Sequence, residues 1–419
     1  MKVIVAGGGW AGCAAAYEAA KSGAETTILE RADKLLGTGL SGGIMRNNGR
    51  LTAEYELTAM GGGKLFEVID RNIIHRGINF PGHLHADLYC AEKMYGDIER
   101  LLLETGVEIK YFSRLSKAVV KGMEIIQAET DDGTVYKGDV FIDATGSAGP
   151  CENCIRYGNG CASCLLRCHD FGGRISLSAL AGASLYNSVG HDGGFGAMSG
   201  SCKIYKRTLS SDIVRELDEN GFVVIPVPIG MRENHINIKA CRQYSDKSYA
   251  ENLILLDTGE AKLMCPYFPL KKLRRIKGFE NAVYEDPQIG GNGNSMRFFD
   301  MVKRDNAMKA DNVKNLFAAG EKAGPLVGHT EAIVTGTIAG HNAVLCSKGL
   351  EQAVISRNTA IGEAIAYVND CVTSYDGLKN KYTFSGSVLL EHLNVCGLYT
   401  SGFSEIKERV RREGLENIF

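Results

Sequence analysis

Apolar and polar positions between Met1 and Glu30 predict a strand, a helix and a second strand. The apolar run at residues 3–6 is typical of a buried strand, and the alanine-rich segment that continues to Ser22 is typical of a helix. Gly23 fits the end of that helix, and residues 24–29 form a second strand-like run. This β–α–β order predicts an α/β domain with a parallel sheet.

Later segments extend this pattern. Residues 87–106 suggest a helix, residues 140–146 a buried strand that ends in a tight turn, and residues 316–321 a strand followed by a glycine turn. A long apolar helix over residues 330–346 follows, so the late strand and helix are expected to complete the sheet that begins at residue 1. The predicted divisions are the first part of the α/β domain at 1–150, an inserted α+β substrate domain at 151–300, the second part of the α/β domain at 301–375 and a helical segment at 376–419.

The composition excludes several classes of protein. The formal net charge is -2 and hydrophobic residues make up 44% of the 419 residues, which excludes disorder, collagen and a strongly basic nucleic-acid binder. The sequence contains no apolar run of membrane-spanning length and no signal-peptide pattern near residue 1, so the expectation is a cytoplasmic protein without a membrane partner. Two counts are unusual, namely 51 glycines and 13 cysteines.

The first glycine cluster carries chemistry. Gly7, Gly9 and Gly12 follow the first strand with the spacing G-x-G-x-x-G, and Glu30 ends the second strand close to the position at which this pattern places an acid. In this pattern the glycines allow a tight turn and close approach of a pyrophosphate to the helix start, while the acid accepts from a ribose hydroxyl. The sequence therefore predicts a dinucleotide site; the alternative is a glycine-rich turn without function.

Further motifs resemble known flavoproteins. The turn at residues 144–146 and the segment 316–321 match two flavin-site motifs of the two-dinucleotide-binding-domain flavoproteins. Several other stretches resemble the GidA/TrmFO-like group of folate- and FAD-dependent tRNA-modifying proteins. They lie at 156–160, 278–282, 320–343 and 358–364. The resemblance covers residues 1–375 and implies a Rossmann-like FAD-binding domain with an inserted α+β substrate domain.

The resemblance also assigns residues to the cofactor site. It implies FAD as the cofactor. The contacts are expected from the glycine turn, from Glu30, from the two flavin motifs and from the start of the late helix. The expected residues are Gly7, Gly9, Trp10, Ala11, Gly12, Glu30, Arg31, Gly42, Thr145, Gly146, Gly320, Glu321, Thr330, Glu331, Ala332 and Ile333. Candidate catalytic residues at the flavin face are Arg46, Asn47, Tyr157 and His329, with Arg50 beside them; each is equally consistent with a structural hydrogen bond.

The chain departs from the TrmFO pattern at its nucleophiles. Met45 stands where those proteins have an early cysteine, and a thioether forms no thiolate for attack on a uracil ring. The nearest match for the second family cysteine is Cys202. Methyl transfer to tRNA is therefore disfavoured.

A cysteine cluster closely follows the flavin-motif turn at residues 144–146. It consists of Cys151, Cys154, Cys161, Cys164 and Cys168. Pairs of the form Cys-x2-Cys let two sulfurs reach one metal, and thiolates suit iron–sulfur centres and zinc. A [4Fe–4S] cluster is the favoured interpretation; structural zinc, a redox-active dithiol and unligated thiols remain open.

Three functions follow from these residues. The first is an FAD-dependent oxidoreductase that exchanges hydride or electrons with a small-molecule substrate or redox partner, coupled to the cysteine centre. The second is a methylenetetrahydrofolate- and FAD-dependent RNA methyltransferase, for which the basic segment 271–277 would contact RNA; RNA is not the favoured partner. The third is a flavoprotein with a structural zinc loop. The amphipathic pattern at 404–412 suggests either packing within the chain or a contact in a homo-oligomer.

Overall fold

The structure is a computed structural model, and it describes residues 1–41, 46–146, 175–189, 197–198, 201–232, 247–265, 268–285, 296–297 and 300–419. The strands in these ranges are β1 Lys2–Ala6, β2 Glu25–Leu29, β3 Ile73–Phe80, β4 His83–Tyr89, β5 Glu108–Lys110, β6 Leu115–Lys121, β7 Glu124–Thr130, β8 Val135–Tyr136, β9 Val140–Asp143, β10 Leu185–Asn187, β11 Ala197–Met198, β12 Cys202–Ile204, β13 Phe222–Pro226, β14 Asn252–Asp257, β15 Ala261–Leu263, β16 Met296–Arg297, β17 Asp300–Val302 and β18 Leu316–Ala318. The α-helices are α1 Trp10–Lys21, α2 Gly49–Ala59, α3 Lys64–Arg71, α4 Ala91–Glu104, α5 Leu177–Leu180, α6 Ser211–Asn220, α7 Ser248–Glu251, α8 Leu270–Leu273, α9 His329–Ser347, α10 Ala360–Cys371, α11 Tyr375–Leu378, α12 Ser387–Val395 and α13 Phe403–Arg412.

A five-stranded sheet organises the molecule. Its strand order is β18-β9-β1-β2-β5, and each neighbouring pair is parallel. Helices cover a parallel sheet on its faces, which explains why β1 and β9 are buried along almost their whole lengths. The prediction of an α/β fold with a parallel sheet is confirmed, and so is the expectation that the late strand completes the sheet begun at residue 1.

Two long helices, α1 and α9, pack closely against each other beside this sheet. A Cβ placed on Gly336 would lie 2.2 Å from the backbone oxygen of Ala11, and one on Gly340 would lie 2.3 Å from that of Ala15. The distance between helix axes depends on the side chains at the contact, so these small residues permit an unusually close approach. The contact fixes the start of α1 relative to the start of α9.

A four-stranded antiparallel sheet forms a second core. Its order is β12-β15-β14-β13, and buried residues such as Leu217 and Phe279 pack with its strands. The basic segment 271–277 belongs to this unit, with Leu273 and Ile276 buried and most of its charged side chains exposed. The domain divisions at residues 150, 300 and 375 stay predictions.

The segment 87–106 differs from its expected structure. Residues up to Tyr89 belong to β4, which pairs with β3 as an antiparallel hairpin, and the helix begins only at Ala91. The helical prediction was wrong for residues 87–90 because the strand that precedes the helix start was not recognised.

The C-terminal helix α13 packs on its own chain. Ile406 and Val410 are buried, and Arg409 donates to the Leu398 carbonyl and forms an ion pair with Glu56 of α2 at 3.5 Å. The amphipathic pattern at 404–412 is therefore satisfied at least partly inside the chain. A homo-oligomer stays a prediction. No helix in the described ranges has the length and apolarity needed to cross a membrane.

Candidate active site

The glycine turn between β1 and α1 has the backbone geometry that its sequence predicts. Gly7 has φ 96°, and a Cβ there would lie 2.5 Å from the Ala144 oxygen. A Cβ on Gly12 would lie 1.9 Å from the Gly7 oxygen, so helix and strand meet with no room for a side chain. A Cβ on Gly9 meets no atom of the described residues within 4 Å. Gly7 and Gly12 are required by the fold, whereas Gly9 faces open space that a ligand can use.

Glu30 orders this turn. Its Oε2 accepts from the Gly8 N–H at 2.7 Å, and its Oε1 accepts from the Ala32 N–H at 2.8 Å. The carboxylate is almost fully buried at the end of β2. Each oxygen has a further lone pair, so Glu30 can hold the turn and still accept from a ribose hydroxyl.

A cleft opens along the carboxyl ends of β1, β2 and β9. Of the predicted cofactor residues, Gly7, Gly9, Glu30, Arg31, Thr145 and Gly146 line it. Ala144 of the predicted turn and the glycine-loop residues Gly37 and Thr38 also line it, and the fold adds residues that were missed from the sequence, namely Leu29, Ser113, Arg114, Leu115 and Ile175. Several of these come from the connection between β5 and β6, and no local motif marks them. The position of the cleft at the strand ends follows the general rule for ligands of open α/β sheets.

Asp143 orders the flavin-motif turn at residues 144–146. It is fully buried, and its Oδ1 accepts from the Thr145 N–H at 3.1 Å and the Thr145 hydroxyl at 2.6 Å. Its Oδ2 accepts from the N–H and hydroxyl of Ser178 at 2.8 and 2.6 Å. Gly146 then turns with φ 81°. The motif is thus a hydrogen-bonded turn that carries Thr145 and Gly146 to the edge of the cleft.

The start of α9 lies next to the glycine turn. Gly320 has φ 63°, its N–H donates to the Thr335 hydroxyl at 2.9 Å, and a Cβ on it would lie 2.9 Å from the Cβ of Ala11. Thr330 and Ile333 are fully buried, and Ala332 is partly exposed. Glu321 is partly exposed beside Gly320. The structure therefore brings the predicted residues of 320–333 against α1, and they stay predicted cofactor contacts.

Glu331 has a different environment. Its fully buried carboxylate accepts from the Arg50 Nε at 3.2 Å, the Thr383 hydroxyl at 2.7 Å and the Phe384 N–H at 2.8 Å. Arg50 also donates to the Val327 carbonyl at 3.2 Å. These contacts join α2, the start of α9 and the segment 383–384, which favours a structural role for Glu331 and Arg50.

Arg46 lies among three carboxylates. It forms ion pairs with Glu54 at 2.9 Å, with Asp87 at 2.6 Å and with Asp70, and its side chain is almost fully buried. Burial raises the pKa of Glu54 to about 8. The Arg46 guanidinium is thus engaged by side chains of its own fold, and the cluster favours a structural role.

Asn47 is also fully buried. Its amide nitrogen lies 2.6 Å from the Nδ1 of His83, and its oxygen accepts from Arg50 at 3.4 Å. Burial, together with the nearby Arg50 charge, lowers the pKa of His83 to about 3. A neutral His83 has an acceptor at Nδ1 for the Asn47 amide, so this pair holds residue 47 in place.

His329, the first residue of α9, lies beside the glycine turn. Its ring centroid is 5.7 Å from that of Trp10, and its Nδ1 is hydrogen-bonded to the hydroxyl of Tyr89. Tyr89 is fully buried, and burial raises its pKa. The phenol therefore stays protonated. The Nδ1 of this candidate catalytic residue is therefore held by a neutral hydroxyl.

Some predicted residues lie outside the described ranges. These are Gly42, Tyr157 and the five cysteines Cys151, Cys154, Cys161, Cys164 and Cys168. The iron–sulfur, zinc and dithiol interpretations of the cluster stay predictions from spacing.

The cleft fits the adenine-dinucleotide part of FAD. Gly9 provides no side-chain cap for α1, so the first-turn N–H groups are available to a phosphate. The indole Nε1 of Trp10 is buried and has no hydrogen-bond partner among the described residues, which leaves a donor at the helix start. Glu30 is in position to accept from a ribose. These features match what a bound dinucleotide supplies.

Comparison with known proteins agrees with this geometry. Residues 2–150 match the family described as FAD dependent oxidoreductase, and residues 266–351 match the family described as glucose inhibited division protein A. No curated protein sequence matches the chain. Two crystal forms of Aquifex aeolicus GidA share its fold. In form II the TM-score is 0.65 at 17% identity, covering 98% of this chain and 76% of the other; in form I it is 0.63 at 17%, covering 98% and 78%.

The two family matches confirm the sequence-based resemblance. The chain is similar to the GidA-like FAD-dependent group, it is an FAD-dependent oxidoreductase, and FAD is its cofactor. At 17% identity the structural likeness shows the shared fold alone. Iron–sulfur binding and tRNA modification are not part of these findings.

Proposed function

Taking the chain as a GidA-like FAD-dependent oxidoreductase, we propose that it oxidises or reduces a small-molecule substrate and that His329 handles the accompanying proton. The observation that carries this proposal is the hydrogen bond between His329 and Tyr89 next to Trp10 and the glycine turn. Bound FAD supplies the hydride or electron transfer, and the protein supplies binding, orientation and proton handling. The substrate is proposed only as a small molecule, and the redox partner is not specified further.

The Tyr89 hydroxyl holds one ring nitrogen of His329. Because burial raises the pKa of Tyr89, the phenol keeps its hydrogen, and its oxygen is able to accept from the Nδ1–H of His329. With the proton of the neutral ring on Nδ1, Nε2 is the atom that takes a proton, and the imidazolium formed in this way gives it back. A histidine whose second ring nitrogen is held by a buried neighbour is a common arrangement for general acid–base work.

The structure gives RNA methylation less support. Cys202, the nearest candidate for the family nucleophile, is fully buried in the four-stranded sheet, and its thiol donates to the Cys265 carbonyl at 3.4 Å. A thiol in that position cannot reach a base. Of the seven cysteines in the described ranges, only Cys396 is exposed. Coupling to the cysteine cluster stays a prediction of the sequence.

The proposal is tested by the midpoint potential of the bound FAD, measured with reference dyes between pH 6 and 8. His329→Gln retains a polar side chain, and we expect it to bind FAD in the same ratio but to change the pH dependence of the potential. Tyr89→Phe removes the tautomer partner and is expected to change the same profile less.

Two outcomes have different meanings. Identical profiles in the wild type and both variants would refute the role of His329 while leaving the cofactor assignment intact. Purified wild-type protein that neither contains nor takes up FAD would refute the proposed function itself. Ile229→Val, a change at an exposed side chain that does not line the cleft, serves as the control for handling of the variants.

A further inference from the structure

Three side chains that can ligate a metal converge near the C-terminal end of the chain. Glu363 lies on α10, His392 lies on α12, and Cys396 follows the last residue of α12. The spacing of His392 and Cys396 is i and i+4, which puts them on one face of the helix. One ligand atom from each of the three lies within 4.8 Å of the other two. We propose that Glu363, His392 and Cys396 bind a zinc ion.

Glu363 and Cys396 both lie next to the same nitrogen of His392. The Nε2 of His392 lies 2.7 Å from the Oε1 of Glu363 and 3.5 Å from the Sγ of Cys396. In a catalytic triad the acid and the nucleophile would contact opposite ring nitrogens, so this is not that arrangement. Both groups instead lie where a metal bound to Nε2 would find its next ligands.

The two distances that involve His392 agree with tetrahedral zinc after a small adjustment. With Zn–N and Zn–O of about 2.0–2.1 Å and Zn–S of about 2.3 Å, tetrahedral angles separate N from O by about 3.3 Å and N from S by about 3.5 Å. The observed Sγ–Nε2 distance of 3.5 Å already has this value. The Glu363–His392 pair, at 2.7 Å, must open by roughly 0.6 Å when the ion replaces the shared proton.

Neighbouring residues hold two of the ligands in orientation. Arg357 donates from Nε to the Oε2 of Glu363 at 2.7 Å, which leaves Oε1 directed at His392, although Nη2 also reaches Oε1 at 3.0 Å. The Tyr367 ring stacks on the His392 ring with centroids 3.8 Å apart and planes 8° apart. Outer contacts of this kind fix ligand orientation at metal centres.

The donor set selects the ion. A thiolate, an imidazole and a carboxylate together suit zinc, whereas magnesium and calcium prefer oxygen ligands alone. Three protein ligands leave a fourth position for water or a small ligand. Cys396 is exposed and the His392 side chain is 25% exposed, so an ion can enter from solvent.

The test follows the Cys396 thiol, because a peptide-level measurement separates this site from the cysteine cluster at 151–168. FAD-loaded full-length protein is freed of metal with a chelator and treated with iodoacetamide at increasing concentrations of zinc chloride, and alkylation is read for each peptide by mass spectrometry. We expect zinc at ten times its Kd to slow alkylation of Cys396 about tenfold, since only the zinc-free fraction reacts. The partly exposed Cys346 of α9 is the internal control and should react at the same rate throughout.

Variants separate a three-ligand site from a thiol that binds zinc alone. His392→Ala and Glu363→Gln should abolish or greatly weaken the protection of Cys396, while Tyr367→Phe retains the stacked ring and should preserve it. Magnesium chloride should give no protection. Absence of zinc protection in the wild type would overturn the proposal, and so would equal protection in the wild type, His392→Ala and Glu363→Gln. Unchanged FAD content in each variant shows that the fold is retained.

Discussion

The glycine turn and the charged cluster of α2 are built in opposite ways. The turn at residues 7–12 works through missing side chains and backbone groups, with Gly9 left open toward the cleft. The cluster around Arg46 and Arg50 works through buried charges that pair with carboxylates from α2, α3, β4 and α9. Steric space limits which changes the turn tolerates, whereas the balance of buried charges limits which changes the cluster tolerates.

This difference decides what kind of change each region tolerates. A turn limited by space should respond to a single methyl group and be indifferent to pH. A buried charge network should tolerate changes of shape better than the loss of one partner, because an uncompensated charge in the interior is costly. Substitutions in the two regions should therefore differ in how much stability they remove and in how the loss depends on pH.

Arg50→Met should produce the largest loss of stability. It leaves the carboxylate of Glu331, which is 0% exposed, without its cation. Breaking a buried ion pair by removing one partner costs about 3–5 kcal/mol. The free energy of unfolding from urea denaturation measures the effect.

The control for this change is Arg71→Met, which removes an exposed arginine with a side chain 70% accessible and should change stability by about 0.5 kcal/mol or less. The double variant Arg50→Met with Glu331→Gln should recover part of the loss, because it removes the unpaired charge. A single variant as stable as the wild type would show that the network is not limited by charge balance.

Gly12→Ala should have the next largest effect. The new Cβ would lie 1.9 Å from the Gly7 oxygen, and the obstructing atom is backbone, so strand and helix must move apart. Overpacking of this kind costs about 1–3 kcal/mol, and the displaced turn should also release FAD. Urea denaturation and the FAD-to-protein ratio measure the two consequences.

Gly96→Ala is the matched control, because a Cβ there, in the middle of α4, would lie more than 4 Å from every atom that the structure describes outside its own surroundings in the helix. That change should stabilise the protein by about 0.5–1 kcal/mol, since alanine is the better helix former. If Gly12→Ala behaved in the same way as Gly96→Ala, the turn would not be limited by space.

Gly9→Ala tests whether the open space beside Gly9 is needed by the ligand and not by the fold. The residue has φ -68° and its added Cβ touches no described atom, so the melting temperature without FAD should not change. The methyl group would occupy the side from which a pyrophosphate approaches, and we expect FAD affinity to fall about tenfold, or about 1.4 kcal/mol. Fluorescence titration of apoprotein with FAD measures it. Unchanged affinity would mean that the cofactor does not approach the backbone at Gly9.

The same contrast explains which features the sequence predicted. The glycine turn, Glu30 and the β–α–β order all lie between Met1 and Glu30, so spacing alone defined them. The late strand β18 was also recognisable, because its motif adjoins a long apolar helix. Ser113, Arg114 and Ile175 reach the cleft only through the fold, and no local pattern marks them.

Arg46 and Asn47 show a further reason. Their sequence positions predict catalytic residues, but their partners Glu54, Asp87 and His83 belong to other elements of the fold. Polar residues near a cofactor motif look alike in sequence whether they face the ligand or a buried carboxylate. The cluster of Glu363, His392 and Cys396 passed unnoticed for a related reason, since it joins two separate helices.

The smallest predicted effect is a pH dependence that only the charged region should show. Burial raises the pKa of Glu54 to about 8, above its ordinary value of 4.5, although Arg46 opposes the shift and Asp70 and Asp87 add to it. Between these two values the folded state holds a proton that the unfolded state has lost. Stability from this group is therefore fully present below about pH 4.5 and is lost as the pH rises toward 8.

Glu54→Gln removes the titrating group while keeping an oxygen that can accept from Arg46. The stability of the wild type relative to this variant should fall by about 1 kcal/mol between pH 6 and pH 7, since a single proton contributes at most about 1.4 kcal/mol per pH unit. Urea denaturation at the two pH values measures the difference, and the raised pKa of Glu56 cancels because both proteins contain it. Gly9→Ala, compared with the wild type in the same way, should show no such change. If the difference in stability between the wild type and Glu54→Gln were the same at both pH values, Arg46 would keep Glu54 ionised. The cluster would then be balanced by charge and not by a protonated Glu54.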